Sequence, residues 1–228
     1  MKTLDALVFD LDGTLIDSVP GIAAALNDVL ANLGRAMLPI EQVRPMIGEG
    51  FNMTITKALQ VTGGVDGHDI ATLAKQWERI YLDREIMRTE VYPGVFEVLG
   101  QLRDQGAILS ICTNKPKPVT RPLLEAIGLW PYMRAVVTPE DVEAMKPDPR
   151  HVLATVAAMN VAHARAVYVG DSEIDVAAAR AAKLPVVLVR YGYCRVPLES
   201  LQPDAAIDRF DELPAALTRL REERRSRG

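Results

Sequence analysis

An unbroken apolar run, Leu7-Val8-Phe9, stops abruptly at Asp10-Leu11-Asp12-Gly13-Thr14. Such a run suits a strand buried on both faces, as in a parallel sheet, and Gly13 permits a sharp turn behind it. The pattern then shifts to helical spacing. Ile22, Leu26, Val29, Leu30 and Leu33 share one face, with Ser18 placed as an N-cap, Pro20 in the first turn and Gly34 at the end. A second helix is expected through Ile40, Val43 and Ile47, broken by Gly48-Glu49-Gly50. A third runs from Phe51 to Val61, and a fourth through Ile70, Leu73, Trp77, Ile80 and Tyr81. Four helices with no strand between them make a helical module.

After Tyr92-Pro93-Gly94, a turn signal, strands and helices alternate. Strands are expected at Ala107–Cys112, Ala135–Thr138, Ala166–Val169 and Val186–Val189, with helices at Val95–Leu102, Val119–Ile127, Pro149–Met159 and Ile174–Ala182 and a last one from Leu213 to Gly228. Strict alternation predicts a parallel sheet with helices on both faces, and Leu7–Phe9 needs these strands as partners. The chain therefore reads as an α/β fold: a core of residues 1–17 and 91–228 interrupted by a helical module of residues 18–90.

Composition narrows the function classes. Hydrophobic residues make up 49% of the 228, enough for a sizeable core. A net charge of -4 argues against nonspecific nucleic-acid binding, and Arg224, Arg225 and Arg227 in the tail read as a solvated helix end. Two cysteines, Cys112 and Cys194, indicate no disulfide framework. No apolar run is long enough for a membrane span, and Asp5, Asp10 and Asp12 interrupt any signal-peptide pattern. A cytoplasmic protein is expected.

Chemistry is expected at the carboxyl ends of the strands, where open α/β sheets place their ligands. Asp10 and Asp12 follow the first strand, Thr113-Asn114-Lys115 another, and Gly170-Asp171-Ser172-Glu173-Ile174-Asp175 a third. Lys146 sits in a rigid Met145-Lys146-Pro147-Asp148-Pro149 connector. Asp10, Asp12, Asp171 and Asp175 could gather only if neutralised, since like charges in one site raise each other's pKa. One lysine does not suffice. A hard divalent cation does, and Mg2+ suits carboxylates plus a phosphate oxygen.

Asp-Leu-Asp-Gly-Thr together with Gly-Asp-x-x-x-Asp, in this order with Thr113 and Lys146 between them, resembles the haloacid dehalogenase superfamily. That resemblance implies a Rossmann-like core with the helical module as a cap that closes over the site, hinging near Asp17–Pro20 and Arg88–Pro93. It implies Asp10 as a nucleophile that becomes an aspartyl-phosphate, and Asp12 as the acid for the leaving alcohol and then the base for water, its carbonyl helping to hold Mg2+. Thr113, Asn114 and Lys146 would bind phosphoryl oxygens. Asp171 would be a metal ligand, with Asp175 ligating directly or through water. The second acid, Asp12, points to phosphoryl rather than dehalogenase chemistry.

Within the superfamily the likeness is to the phosphoglycolate phosphatases, carried by Ile47-Gly48-Glu49-Gly50, Cys112-Thr113-Asn114-Lys115, Lys146-Pro147-Asp148-Pro149 and Tyr191-Gly192-Tyr193. Gly48, Glu49 and Gly50 would then select a small phosphorylated metabolite, 2-phosphoglycolate first. The alternatives are a pyrophosphatase, a sugar-phosphate phosphatase, a phosphoglucomutase-like enzyme or a non-catalytic phosphate sensor. A monomer or homodimer without nucleic-acid or membrane partners is expected. Lys183 departs from the pattern, standing where relatives often carry glycine.

Overall fold

The computed structural model describes residues 6–226; Asp5 and Arg227, and the side chains of Arg224 and Arg225, lie outside it. The chain begins with β1 (Ala6–Phe9), β2 (Ile16–Asp17), α1 (Val19–Asn32), α2 (Ile40–Val43), α3 (Phe51–Thr62), α4 (Ile70–Ile80) and β3 (Glu90–Val91). It continues through α5 (Val95–Asp104), β4 (Ile108–Cys112), α6 (Lys117–Ala126), β5 (Ala135–Val137), α7 (Pro149–Ala158) and β6 (Ala166–Gly170). Last come α8 (Glu173–Ala181), β7 (Val186–Val189), α9 (Leu198–Leu201), β8 (Ala205–Ile207) and α10 (Leu213–Ser226).

Six strands form one parallel sheet in the order β5-β4-β1-β6-β7-β8. β1 lies inside it, pairing with β4 and with β6 over all four of its residues, each fully or almost fully buried. Its alternate side chains serve two cores. Leu7 and Phe9 face a cluster with Leu99, Leu102, Phe210 and Leu217, while Ala6 and Val8 face Val152, Val156, Val176 and Ala179. A strand with both faces covered has no polar side, hence the unbroken apolar run. The chain moves outward from β1 through β4 and β5, then returns to lay β6, β7 and β8 on the other side. The carboxyl end of β1 is therefore a topological switch point, where such sheets open a crevice for ligands.

Between β2 and β3 the chain forms helices joined by turns and irregular connections, and the two short strands pair antiparallel, Ile16 with Val91 and Asp17 with Glu90. This ribbon brings the entrance and exit of the helical segment together beside Asp12. Inside the segment, Phe51 stacks on Trp77 with ring centroids 4.1 Å apart. Asn27 closes both backbone groups of Leu38 at 2.8 and 2.9 Å.

Several elements differ from the sequence reading. The second helix stops at Val43 and tightens through Arg44–Met46, because Pro45 lacks the N–H an α-helix needs. α4 runs into a wider turn at Tyr81–Glu85. The ribbon β2–β3 and the edge strand β8 were not legible, being only two or three residues long. Ser18 stands at the start of α1, but its hydroxyl makes no capping bond and donates to Asp12 instead. Among the described residues, no helix is long and apolar enough to cross a membrane.

Lys183 closes α8 in the left-handed region at φ 58°. Its N–H bonds to the Arg180 carbonyl, and the N–H of Leu184 reaches back to Ala179, a closure that favours glycine. Replacing Lys183 with glycine is expected to stabilise the protein by about 0.5–1 kcal/mol, read as a higher urea midpoint with an unchanged slope.

Candidate active site

The turn after β1 directs two carboxylates into different surroundings. Asp10 follows Phe9 directly, its N–H still bonded to Val169 of β6 at 2.9 Å. Gly13 adopts φ 87°, and a Cβ there would lie 2.5 Å from Asp171 Oδ2. Gly192 is equally constrained, since its Cβ would stand 2.2 Å from that of Asp171. Both turns must be glycine for Asp171 to sit where it does.

Lys146 is the hub. Its Nζ lies 2.8 Å from Asp10 Oδ1, 2.8 Å from Asp175 Oδ1 and 2.9 Å from the Tyr168 hydroxyl. All three N–H donors of the ammonium are thereby used. Burial lowers the pKa of Lys146, but the charges of Asp10 and Asp175 outweigh that and raise it above the usual lysine range. The connector that carries it is fixed from three sides. Asn114 accepts its backbone N–H at 3.1 Å, His151 Nδ1 stands 3.3 Å from the same N–H, and the Lys146–Pro147 bond is cis. His151 is buried, and burial followed by the Lys146 charge lowers its pKa to about 4. It is a neutral imidazole whose Nε2 lies 3.1 Å from the Val137 carbonyl.

Asp175 is fully buried, and its oxygens accept from Lys146, Tyr168, the Ser172 hydroxyl and the backbone N–H groups of Asp171 and Ser172. Desolvation pushes its pKa up, yet Lys146 and these donors outweigh it and hold Asp175 below the usual carboxylate range. Asp171 has weaker support, from Tyr193 N–H at 2.6 Å and the Thr14 hydroxyl at 3.1 Å. Burial first, then the charges of Asp175 and Asp10, raise it well above the ordinary value. Burial likewise raises Asp10, to about 7, against the pull of Lys146.

Oxygen atoms of Asp10, Asp171 and Asp175 lie within 4.8 Å of one another. Such a set suits a hard divalent cation, whose charge would let Asp10 and Asp171 ionise together. The Asp12 side chain stands apart from the set: its Oδ1 accepts from Ser18 Oγ and from Lys115 Nζ, the latter at 3.0 Å. The four sequence-predicted acids thus meet two buried lysines, and Lys115 is the one that the sequence reading quoted without giving it a role. Its position directly behind Thr113 and Asn114 was the available signal.

Thr113 closes the site beside Asp10, with its hydroxyl accepting from Lys115 N–H at 3.1 Å. The Asn114 side-chain amide donates at 2.9 Å both to the Lys146 carbonyl and to the Gly48 carbonyl of the helical segment. It therefore ties that segment to the core, which leaves the Asn114 backbone as the part that could meet an anion. Gly48 and Gly50 line the cleft above Asp10. Glu49 between them points to other partners, Lys57 at 2.7 Å and Arg195, which also bonds Glu173. Arg195 and Tyr193 come from the loop after β7, and Tyr193 reaches Asp17 with its hydroxyl at 2.9 Å. Nothing in their local sequence signals those contacts.

Comparison with known proteins agrees with this geometry. The sequence model of the haloacid dehalogenase-like hydrolases matches residues 7–189. Phosphoglycolate phosphatase of Caulobacter vibrioides is 39% identical over 211 residues, covering 92% of this chain and 89% of its own. The plasmid-borne phosphoglycolate phosphatase of Cupriavidus necator is 40% identical over 214 residues and covers 93% of each. Among solved structures, one described as a predicted phosphoglycolate phosphatase from Haemophilus somnus 129PT superposes with a TM-score of 0.87. It is 26% identical and covers 94% of this chain and 99% of its own. The chain belongs to the haloacid dehalogenase-like hydrolases and is a phosphoric monoester hydrolase.

Proposed function

We propose that this protein is a Mg2+-dependent phosphatase for a small phosphomonoester, 2-phosphoglycolate, and that it works through a phosphorylated Asp10. The observation that carries the reading is the division of labour between two carboxylates two residues apart. Asp10 touches Lys146 and the acidic cluster, while Asp12 turns away to Ser18 and Lys115. The phosphoglycolate phosphatases related to it over nine-tenths of the chain support the choice of ester.

Asp10 is the nucleophile: one carboxylate oxygen bonds to phosphorus as the bond to the leaving alcohol oxygen breaks. Lys146 steadies the charge on Asp10 and on the phosphoryl oxygens, helped by the Thr113 hydroxyl and the Asn114 backbone N–H. Asp12 delivers a proton to the leaving oxygen. It then takes one from the water that attacks the phosphorylated Asp10, releasing phosphate and restoring the carboxylate. Asp10, the Asp12 carbonyl and Asp171 would hold Mg2+, with Asp175 reaching it directly or through water. When bound, the ion supplies the positive charge that lets a phosphate dianion approach a carboxylate. Asp175 also orients Lys146 and the Gly170–Ser172 turn through its own hydrogen bonds. The helical segment covers the cleft and excludes water that would otherwise compete.

Replacing Asp10 with asparagine should cut kcat by roughly a thousandfold or more, while circular dichroism stays that of the unaltered protein. Substantial remaining turnover would remove Asp10 as nucleophile. Asp12→Asn should slow turnover by about 10²–10⁴-fold, and a wild-type rate would contradict its acid/base role. Protons compete with a cation for Asp10 and Asp171, whose pKa values are raised in the metal-free site. Mg2+ should therefore raise the thermal midpoint more at about pH 8 than at about pH 5, and Asp171→Asn should abolish that shift. An equal shift at both values, or one retained in the variant, would place the ion elsewhere. A screen of phosphate esters that includes 2-phosphoglycolate and pyrophosphate tests the substrate, and no phosphate release from any ester would overturn the reading.

A further inference from the structure

The cleft beside Asp10 holds two polar groups for which the chemistry above has no use. Lys115 is buried, its side chain 1% exposed, and Nζ lies 3.0 Å from Asp12 Oδ1 and 4.8 Å from the centre of the Tyr81 ring. Among the described residues its ammonium makes one hydrogen bond, to Asp12, with the Tyr81 ring packed beside it, so donors remain for a ligand. Trp77, also 1% exposed, lines the same cleft, and its indole N–H has no hydrogen-bond partner among the described residues. A buried donor left unpaired is costly, and native structures rarely tolerate it without a ligand or water to accept it.

The other cations around the site are committed. Lys146 spends its three donors on Asp10, Asp175 and Tyr168, and Arg195 is held between Glu49 and Glu173. Among the described residues, Lys115 is the one lysine or arginine lining the cleft that also contains Asp10, Gly48 and Gly50.

We propose that Lys115 and Trp77 form the subsite for a carboxylate carried by the leaving alcohol, and so select an anionic two-carbon ester over a neutral one. A carboxylate accepts from both groups at once, filling a vacant position on the ammonium and satisfying the indole N–H. Approach of a second anion to the acidic site requires a cation there, and Lys115 provides it. The surrounding side chains Ile22, Ile47 and Phe51 leave little polarity for a longer hydroxylated tail. This inference rests on the phosphatase reading and names the residues that recognise its substrate.

The test compares 2-phosphoglycolate with 2-hydroxyethyl phosphate, which replaces the carboxylate by a neutral hydroxymethyl group. The quantity read is the ratio of their kcat/KM values, in which any effect of a variant on Asp12 cancels because both esters need it. The unaltered protein should favour 2-phosphoglycolate. Lys115→Gln should lower the ratio by about 30-fold, and Trp77→Phe, which keeps an aromatic ring against Phe51, several-fold. A ratio unchanged in both variants overturns the proposal. Should Lys115→Gln fail to fold, Trp77→Phe and inhibition of the unaltered protein decide. Glycolate should compete with substrate at concentrations where ethylene glycol does nothing, and equal effects of the two overturn the subsite. Failure of the unaltered protein to hydrolyse either ester overturns the phosphatase reading instead.

Discussion

The ammonium of Lys146, shared between Asp10 and Asp175 at 2.8 Å from each, is the contact on which the site depends. Three carboxylates from two different strand ends, two of them buried and Asp10 partly so, could not approach one another without it. The sheet order supplies the positions, since β1 lies between β4 and β6 and its carboxyl end is flanked by theirs. Asn114 and His151 fix the backbone of Lys146, and Tyr168 and the Ser172 turn saturate Asp175. Asp10 and Asp171 are left as the carboxylates whose charge burial opposes most, and those are the two that a divalent cation would serve. Electrostatic need and metal chemistry point to one place.

The helical segment is joined to this arrangement by polar ties as well as by apolar packing, since its buried Ile22, Leu26, Trp77 and Tyr81 belong to one hydrophobic cluster with Leu7, Phe9, Val119 and Leu123. Asn114 reaches the Gly48 carbonyl, Arg195 reaches Glu49, and Lys115 lies under the rings of Tyr81 and Phe51. Each tie joins a residue at the carboxyl edge of the sheet to one of the inserted helices or the loop Gly48–Gly50. Of these ties Arg195–Glu49 is partly exposed, whereas Asn114 and Lys115 are buried, and within the segment Phe51 stacks on Trp77. Apolar packing and buried polar ties together hold the inserted helices over the cleft that contains Asp10.

Much of this was legible in the sequence because it is local. A strand buried on both faces leaves an apolar run, and the acids, Thr113 and Lys146 lie immediately after strands or in a proline-fixed connector. The parallel sheet followed from strict alternation, and the family likeness from the spacing of its motifs. What escaped detection depends on contacts between distant positions. Lys115 acquires its meaning from Asp12, Trp77 and Tyr81, Tyr193 from Asp171 and Asp17, and Arg195 from Glu49 and Glu173. Ser18 shows the ambiguity most clearly: its type and place fit a helix cap, yet its hydroxyl serves Asp12. β8 was missed because three residues after Pro203 give no period to read.

The central claim is that Asp10 carries the phosphoryl group between substrate and water. Acid-quenching the enzyme during turnover of 2-phosphoglycolate with Mg2+, followed by peptide mass analysis, tests it directly. One added phosphoryl group on the peptide containing Asp10, absent from the Asp10→Asn protein, is the predicted result. Steady release of phosphate with no phosphorylated Asp10 peptide at any quench time would contradict it.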